Sequence, residues 1–205
     1  MIMGTFYIVI ASILWGLVHS FSASQVFKRF VRKLFGSEAF YRLYRLGYNL
    51  FSLASFLPLF LMLVIFPDRL LYSIPAPWVY VSTTIQGMAV FVLIAGVMQT
   101  GPLEFAGISQ LTPMYDDLKP TRLVIDGLYA RVRHPLYSAG LVFIWFSQDM
   151  TLNRLVLWVV FTFYIVIGAF FEERKLLNEF GAEYAEYKAR TPMLIPSWPK
   201  NKKIL

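Results

Sequence analysis

Apolar runs long enough to cross a lipid bilayer dominate this sequence, and they constrain its fold more than any other feature. A bilayer core takes roughly 20 mainly apolar residues per helix. Met3 to Phe21, Leu46 to Phe66 and Val79 to Met98 each reach that length, the last with Gln86 as its one strongly polar interruption. The next stretch, Leu136 to Phe171, is too long for a single helix. It breaks near Gln148-Asp149 and Asn153-Arg154, which predicts a tight helical hairpin. Its first leg of about 13 residues extends about 20 Å at the helical rise, short of the ~30 Å hydrocarbon thickness. Either that leg does not fully cross, or the residues before it lie below the membrane surface. The second leg, about 17 residues from Leu155, is nearly long enough.

Composition agrees. Hydrophobic residues make up 58% of the 205 and charged residues 15%, against roughly 25% charged in soluble domains. A core of this size cannot hide that excess, so lipid must solvate part of it. The expected fold class is therefore all-α: a polytopic membrane protein with about five transmembrane helices, a C-terminal helical hairpin and a cytoplasmic tail helix. It reads as a single integral membrane domain over 1–205, with three spans in 1–98 and a second half in 99–198. The first apolar run has no basic segment before it and no small-residue cleavage site, so it reads as a retained span rather than a signal peptide.

Charge sets the expected orientation. Lys28, Arg29, Arg32, Lys33, Arg42 and Arg45 lie between the first two spans, against the single acid Glu38. The positive-inside rule makes that loop cytoplasmic and puts the N-terminus outside. Alternation then places the 99–135 segment and the 172–205 tail on the cytoplasmic side, in an inner membrane if the chain is bacterial. The net charge of +7 thus serves topology, and no nucleic-acid partner is implied. Phe27, Phe30, Val31 and Leu34 alternate with Lys28, Arg29, Arg32 and Lys33 at helical spacing, which predicts a basic helix at about 25–35 lying in the interface. Asn49 and Gln86 read as interhelical hydrogen-bonding amides, His19 as an interfacial residue, and Pro75 and Pro77 as an outer turn.

Chemistry has few places to sit. With no cysteine, disulfides, thiolate catalysis and cysteine-ligated metals are excluded. Only His19 and His134 are present, which excludes a multi-histidine metal site, and no metal is expected. No GxGxxG after a strand pattern, no Walker loop and no serine nucleophile elbow occurs. Hairpin topology, however, makes neighbours of residues far apart in sequence, because packed helices lie ~8–10 Å apart. Arg131, Arg133, His134 and Tyr137 lead into the first leg; Glu172, Glu173, Arg174 and Lys175 leave the second. Pro135 suits the first helical turn, and the N–H groups after it could bind an anion. Charges drawn toward the low-dielectric region by a short leg pair with one another or serve a site. In the tail, Leu176, Leu177, Phe180, Tyr184 and Tyr187 form an approximate apolar stripe, Gly181 can divide two helical pieces, and Thr191-Pro192 and Ile195-Pro196 stop the helix. That segment reads either as a surface helix or as a lid over the polar cluster.

The run Gly127-Leu128-Tyr129-Ala130-Arg131-Val132-Arg133-His134-Pro135-Leu136-Tyr137-Ser138-Ala139-Gly140 resembles a signature of the isoprenylcysteine carboxyl methyltransferase family. So does its partner, Glu172-Glu173-Arg174-Lys175-Leu176-Leu177 with Phe180-Gly181, Tyr184, Tyr187 and Pro192. The likeness covers roughly residues 100–198. The N-terminal half, with Gly16-Leu17-Val18-His19-Ser20 and Tyr41-Arg42-Leu43-Tyr44-Arg45, more loosely resembles bacterial members, including methanethiol S-methyltransferases. The resemblance implies an integral membrane enzyme using S-adenosylmethionine. It implies that Gly127, Tyr129, Arg133, His134, Pro135, Tyr137, Glu172 and Glu173 contact the cofactor, with Arg133 and Glu173 also catalytic. Phe105 to Met114, with Gly107 and Gln110, would be part of the cofactor loop. The acceptor stays open between a lipophilic molecule arriving from the bilayer and a small nucleophile: carboxylate, thiol or amine. No dedicated base is visible for it. The alternative is a non-enzymatic membrane protein, such as a small transporter or assembly factor, that keeps the scaffold. It would bind no cofactor and would tolerate changes at Arg133 and Glu172.

Overall fold

A computed structural model describes residues 2–112 and 122–196. Met114, the last residue of the expected cofactor loop, and the end of the 99–198 half lie outside the described residues. The chain is helical almost throughout. Helix α1 spans Ile2–Ala23, α2 Gln25–Phe35, α3 Ser37–Ile65 and α4 Trp78–Gln99. A short α5, Pro102–Ala106, and a 3-10 turn, Ser109–Leu111, follow. Then come α6 at Pro135–Trp145, α7 at Leu152–Phe180 and α8 at Ala182–Arg190. Four of these, α1, α3, α4 and α7, are long and apolar enough to cross a membrane. With the shorter apolar α6 they make an all-α integral membrane protein.

The long helices pack as an open arc in the order α3, α1, α7, α6, α4. The core lies where α1, α3 and α7 meet, around Ile8, Leu59, Leu157, Trp158 and Phe161. At the far end of the arc α4 and α6 pack closely. A Cβ on Gly96 would fall 2.7 Å from Leu136 Cδ2, so glycine is what lets the two helices approach there. Gln86 donates to the Phe143 carbonyl at 2.7 Å and accepts from Gln148 Nε2 at 2.6 Å, which is the interhelical role expected of it. Asn49 bonds the carbonyls of Phe105 and Ala106 at 2.9 and 3.0 Å, tying α3 to α5 and closing the arc at one end.

Two departures from the sequence reading matter for the site. Strands β1, Leu70–Ser73, and β2, Asp149–Thr151, pair antiparallel, with Tyr72 opposite Met150 and Ser73 opposite Asp149. Pairing links the loop before α4 to the turn before α7, where only loops are expected. Asn153, wholly buried, accepts from Thr5 Oγ1 at 2.6 Å and donates its backbone N–H to the Asp68 carboxylate at 3.0 Å, locking the same end. Second, α7 continues past the apolar stretch to Phe180, because Glu172 to Glu179 are good helix formers. Gly181 then separates it from α8, as expected.

Helix α6 is only 11 residues long, about 16 Å. Its ends are gauged against α4: Ser82 Oγ donates to the Phe146 carbonyl at 2.5 Å, and Leu136 meets Gly96. Those anchors are about four turns apart, or about 21 Å. The residues that precede α6 therefore start roughly one turn short of the end of α4.

Candidate active site

Cation and carboxylate clusters meet as hairpin topology requires. Glu173 is buried in the last third of α7. Arg133 Nε donates to its Oε1 at 2.6 Å, and Nη2 closes on the same oxygen. Lys188 of α8 reaches Oε2 at 2.8 Å. The remaining guanidinium nitrogen, Nη1, donates to the carbonyls of Lys188 and Thr191. Both side chains of the Arg133–Glu173 pair are almost fully buried, at 8% and 3% exposed. Such a pair survives burial only because further hydrogen bonds occupy its other atoms.

Glu172, one position along, is turned differently. Its side chain is 43% exposed, and its Oε2 accepts from Tyr137 Oη at 2.7 Å. His134 lies between the two carboxylates, with Nδ1 3.6 Å from Glu172 and Nε2 3.5 Å from Glu173. Its ring stacks on Tyr137 at 5.3 Å between centroids. Burial pushes His134 below the usual histidine range; Glu172 and Glu173 pull the other way, and Arg133 adds to the lowering. The imidazole is thus neutral near pH 7.

A strap after α8 holds the start of α6. Backbone N–H groups of Arg133 and His134 donate to the carbonyls of Pro192 and Met193 at 2.8 and 3.1 Å. Ser138 Oγ adds a bond to the Leu194 carbonyl at 2.6 Å. Tyr187 of α8 donates to the Tyr129 carbonyl at 2.6 Å, and Tyr184 is wholly buried, its hydroxyl pushed up to about 12 by burial. Helix α8 and the strap through Leu194 therefore wall the polar cluster.

These elements enclose a cavity of about 620 Å³. Tyr129, Arg133, His134, Pro135, Tyr137 and Glu172 line it, joined by Arg45 of α3, Leu93 and Val97 of α4, Phe105 of α5, Arg122, and Lys175 and Phe180 of α7. Glu173 stands behind Arg133. Gly127 does not line the cavity. At φ 57° it packs against Gln99, whose Oε1 accepts from the Leu128 N–H at 3.2 Å. Of the expected loop, Phe105 reaches the cavity. Gly107 instead lets α5 touch the backbone of Arg45 and Leu46, where a Cβ would come within 2.5 Å. Arg45 and Lys188 escape sequence reasoning as site residues, because each looks like an ordinary interfacial base, whereas Lys175 belongs to the charged cluster expected at the end of the hairpin. A further apolar cavity of about 450 Å³ lies between α1, α2 and α3, walled by Phe27, Val31, Phe40, Leu43 and Tyr48 among others.

Similarity to known proteins agrees with this geometry. Methanethiol S-methyltransferase 1 of Bradyrhizobium diazoefficiens is 32% identical over 186 residues, 89% of this chain and 64% of the relative. A methanethiol S-methyltransferase of Pseudomonas deceptionensis is 38% identical over 104 residues, 48% of this chain and 38% of the relative. The chain is a relative of these methyltransferases. Protein-S-isoprenylcysteine O-methyltransferase of Schizosaccharomyces pombe is 38% identical over 84 residues, 38% of this chain and 34% of the relative. The resemblance to the isoprenylcysteine carboxyl methyltransferase family, with its bacterial methanethiol-methylating members, therefore holds. The matches span under two thirds of each of these relatives' length. No family model and no solved structure matches the chain.

Proposed function

We propose that this protein is an integral membrane methyltransferase that moves a methyl group from S-adenosylmethionine to a small or lipophilic nucleophile at the cytoplasmic face. The observation that carries the reading is the single cavity onto which both motif segments converge, Arg133 to Tyr137 from one side and Glu172 to Phe180 from the other. A methyltransferase relative that matches 89% of this chain supports it.

The residues fit the cofactor chemically. Half-exposed Glu172 offers a carboxylate oxygen to ribose hydroxyls while Tyr137 occupies and orients it. Phe105, Phe180, Leu93 and Val97 supply apolar surface for an adenine ring. Arg45 and Lys175 line the cavity, and Lys28 stands near enough to feel both. Burial, then Lys175 and Arg45, hold the Lys28 ammonium below its ordinary value, so this cluster favours an anion such as the cofactor carboxylate. When bound, S-adenosylmethionine supplies an electrophilic methyl group on a sulfonium, which an incoming nucleophile displaces in line. The chain's task is placement, and holding two reactants in register lowers the barrier substantially. Arg133 and Glu173 keep α6, α7 and the strap in that register, and Gly127 and Tyr129 fix the loop that carries Arg133.

Orientation follows from charge. The bases between α1 and α3 assign the site's end to the cytoplasm and the N-terminus to the outside, in a bacterial inner membrane. The whole chain acts as one integral membrane domain, with 1–98 as scaffold and 99–198 as the cofactor-binding half. Purified protein in detergent is expected to bind S-adenosylmethionine and S-adenosylhomocysteine in calorimetry. Glu172→Ala should weaken both about tenfold or more, the loss of a charged hydrogen bond. Absence of any binding heat from the wild-type protein at millimolar ligand would refute the reading.

A further inference from the structure

Helix α2 carries charge without partners. Lys28, Arg29, Arg32 and Lys33 all lie on it, and among the described residues none of them forms an ion pair. Glu38, the single acid in residues 1–66, is already paired with Arg42 at 3.2 Å. The apolar face of α2 is equally uncovered. None of its residues is buried, and Phe30, Leu34 and Phe35 are each more than half exposed.

Against this helix lies the cavity of about 450 Å³ between α1, α2 and α3, a volume in the range of small-molecule pockets. Its wall has three hydroxyls, and all are spent on the protein. Ser22 donates to the His19 carbonyl at 2.8 Å, Tyr44 donates to the Ser22 carbonyl, and Tyr48 pairs with His19 Nε2 at 2.7 Å. The wall therefore leaves no hydroxyl free for a polar guest, and hydrocarbon suits it best. Val18, Phe21 and Leu43 line the cavity and are also exposed, so it opens to the surroundings of the helices. The bases of α2 stand on its rim. The Arg32 guanidinium lies 5.0 Å from the Phe40 ring centroid and 4.9 Å from that of Tyr41, and the Lys28 ammonium 5.8 Å from that of Tyr44. Phe40 and Tyr44 are themselves walls of the cavity.

We propose that α2 and this cavity form a site for one anionic phospholipid of the leaflet that α2 borders, with an acyl chain in the cavity and the phosphate on Arg32 and Arg29. Arginine matches a phosphate with paired N–H donors, and Arg29 and Arg32 share one side of the helix at i, i+3. The second chain and the rest of the headgroup stay in the bilayer, on the open side. A second copy of this protein is a poor occupant, because it would bring the same uncompensated bases against these. The inference goes beyond the methyltransferase reading and stands on separate residues.

The full-length protein, stripped of lipid in detergent, tests this by native mass spectrometry with dioleoyl phosphatidylglycerol, dioleoyl phosphatidylcholine and glycerol phosphate. One phosphatidylglycerol should bind about tenfold or more tighter than phosphatidylcholine, and glycerol phosphate should not displace it. Arg29→Gln and Arg32→Gln should each weaken phosphatidylglycerol roughly fivefold and leave phosphatidylcholine unchanged. Gly47 lines the cavity inside α3, and a Cβ there meets nothing within 4 Å. Gly47→Phe therefore places its ring in the open space and should abolish the tight adduct without lowering the melting temperature, since glycine is the poorer helix former. Ala39→Leu blocks the same cavity from the start of α3 and serves if the first variant does not fold. Equal affinity for the two lipids, or a tight adduct that survives in a folded blocked variant, would overturn the site. Displacement by glycerol phosphate would reduce it to a headgroup patch, and dimers in place of the adduct would make a second copy the occupant; either result overturns the proposal. Both blocked variants should bind S-adenosylmethionine within about twofold of wild type, so failure here leaves the methyltransferase reading intact.

Discussion

Arg133 is tied on all three of its nitrogens, to Glu173 and to the carbonyls of Lys188 and Thr191. A guanidinium held this way works as a joint between α7, α8 and the loop before α6. Removing it strands Glu173 as a buried carboxylate with only Lys188 and the His134 ring beside it. Breaking a buried pair from one side costs about 3–5 kcal/mol, whereas replacing both partners by apolar groups is much milder. Arg133→Met is therefore expected to lower thermal stability sharply in detergent, as read by a melting assay. Adding Glu173→Leu to it should recover much of the loss. If the double variant is no more stable than the single one, the pair does not act as a joint. Sequence spacing and hairpin topology were enough to bring Arg133 and Glu173 together. They could not distinguish Glu173, which faces inward, from Glu172, which is half-exposed, because adjacent helical residues differ by only about 100°. Nor did they reveal Lys188 and Thr191, whose contribution depends on the path of the chain after Gly181.

Elements position these residues through a few close backbone approaches. Gly107, in the left-handed region at φ 86°, caps α5 and lets it rest on the backbone of Arg45 and Leu46. An alanine there must strain that backbone by about 1–2 kcal/mol, and its Cβ would push α5 off α3. Phe105 of α5 and Arg45 of α3 both line the cavity. Gly107→Ala should thus weaken cofactor binding in calorimetry and lower the melting temperature together. Gly140→Ala serves as the control. Its Cβ meets nothing within 4 Å, and helix propensity predicts a gain of up to about 1 kcal/mol. Equal behaviour of the two variants would show that the α5 contact does not shape the cavity. The spans themselves were legible because length and apolarity are local properties. The β1–β2 pair was not: strands of four and three residues carry no usable alternation, and their partners lie far apart in sequence.

Across the whole molecule, that small strand pair determines how many times the chain crosses. β1 lies between α3 and α4, and β2 between α6 and α7, so both turns must share one end. The N-terminus joins them there through Thr5 and Asn153. The loop before α6 is at the other end with the cofactor cavity, so α6 has to run from one end to the other despite its 11 residues. Five traversals follow, with the start of α1 and the end of α7 at opposite ends. Which end faces the cytoplasm is a separate matter, carried by the bases between α1 and α3. The absence of cysteine makes a clean labelling test possible. Single-cysteine variants Arg69→Cys, Lys33→Cys and Glu179→Cys all fall at exposed positions. With a membrane-impermeant maleimide on intact spheroplasts, Arg69→Cys should react at once, while Lys33→Cys and Glu179→Cys should react only after permeabilisation. The reverse pattern would keep the five traversals and invert the orientation, moving the cavity to the outer face and away from cytoplasmic cofactor. Reaction of Arg69→Cys and Glu179→Cys from the same side would break the traversal count itself, because an odd number of crossings separates α3's far end from the end of α7.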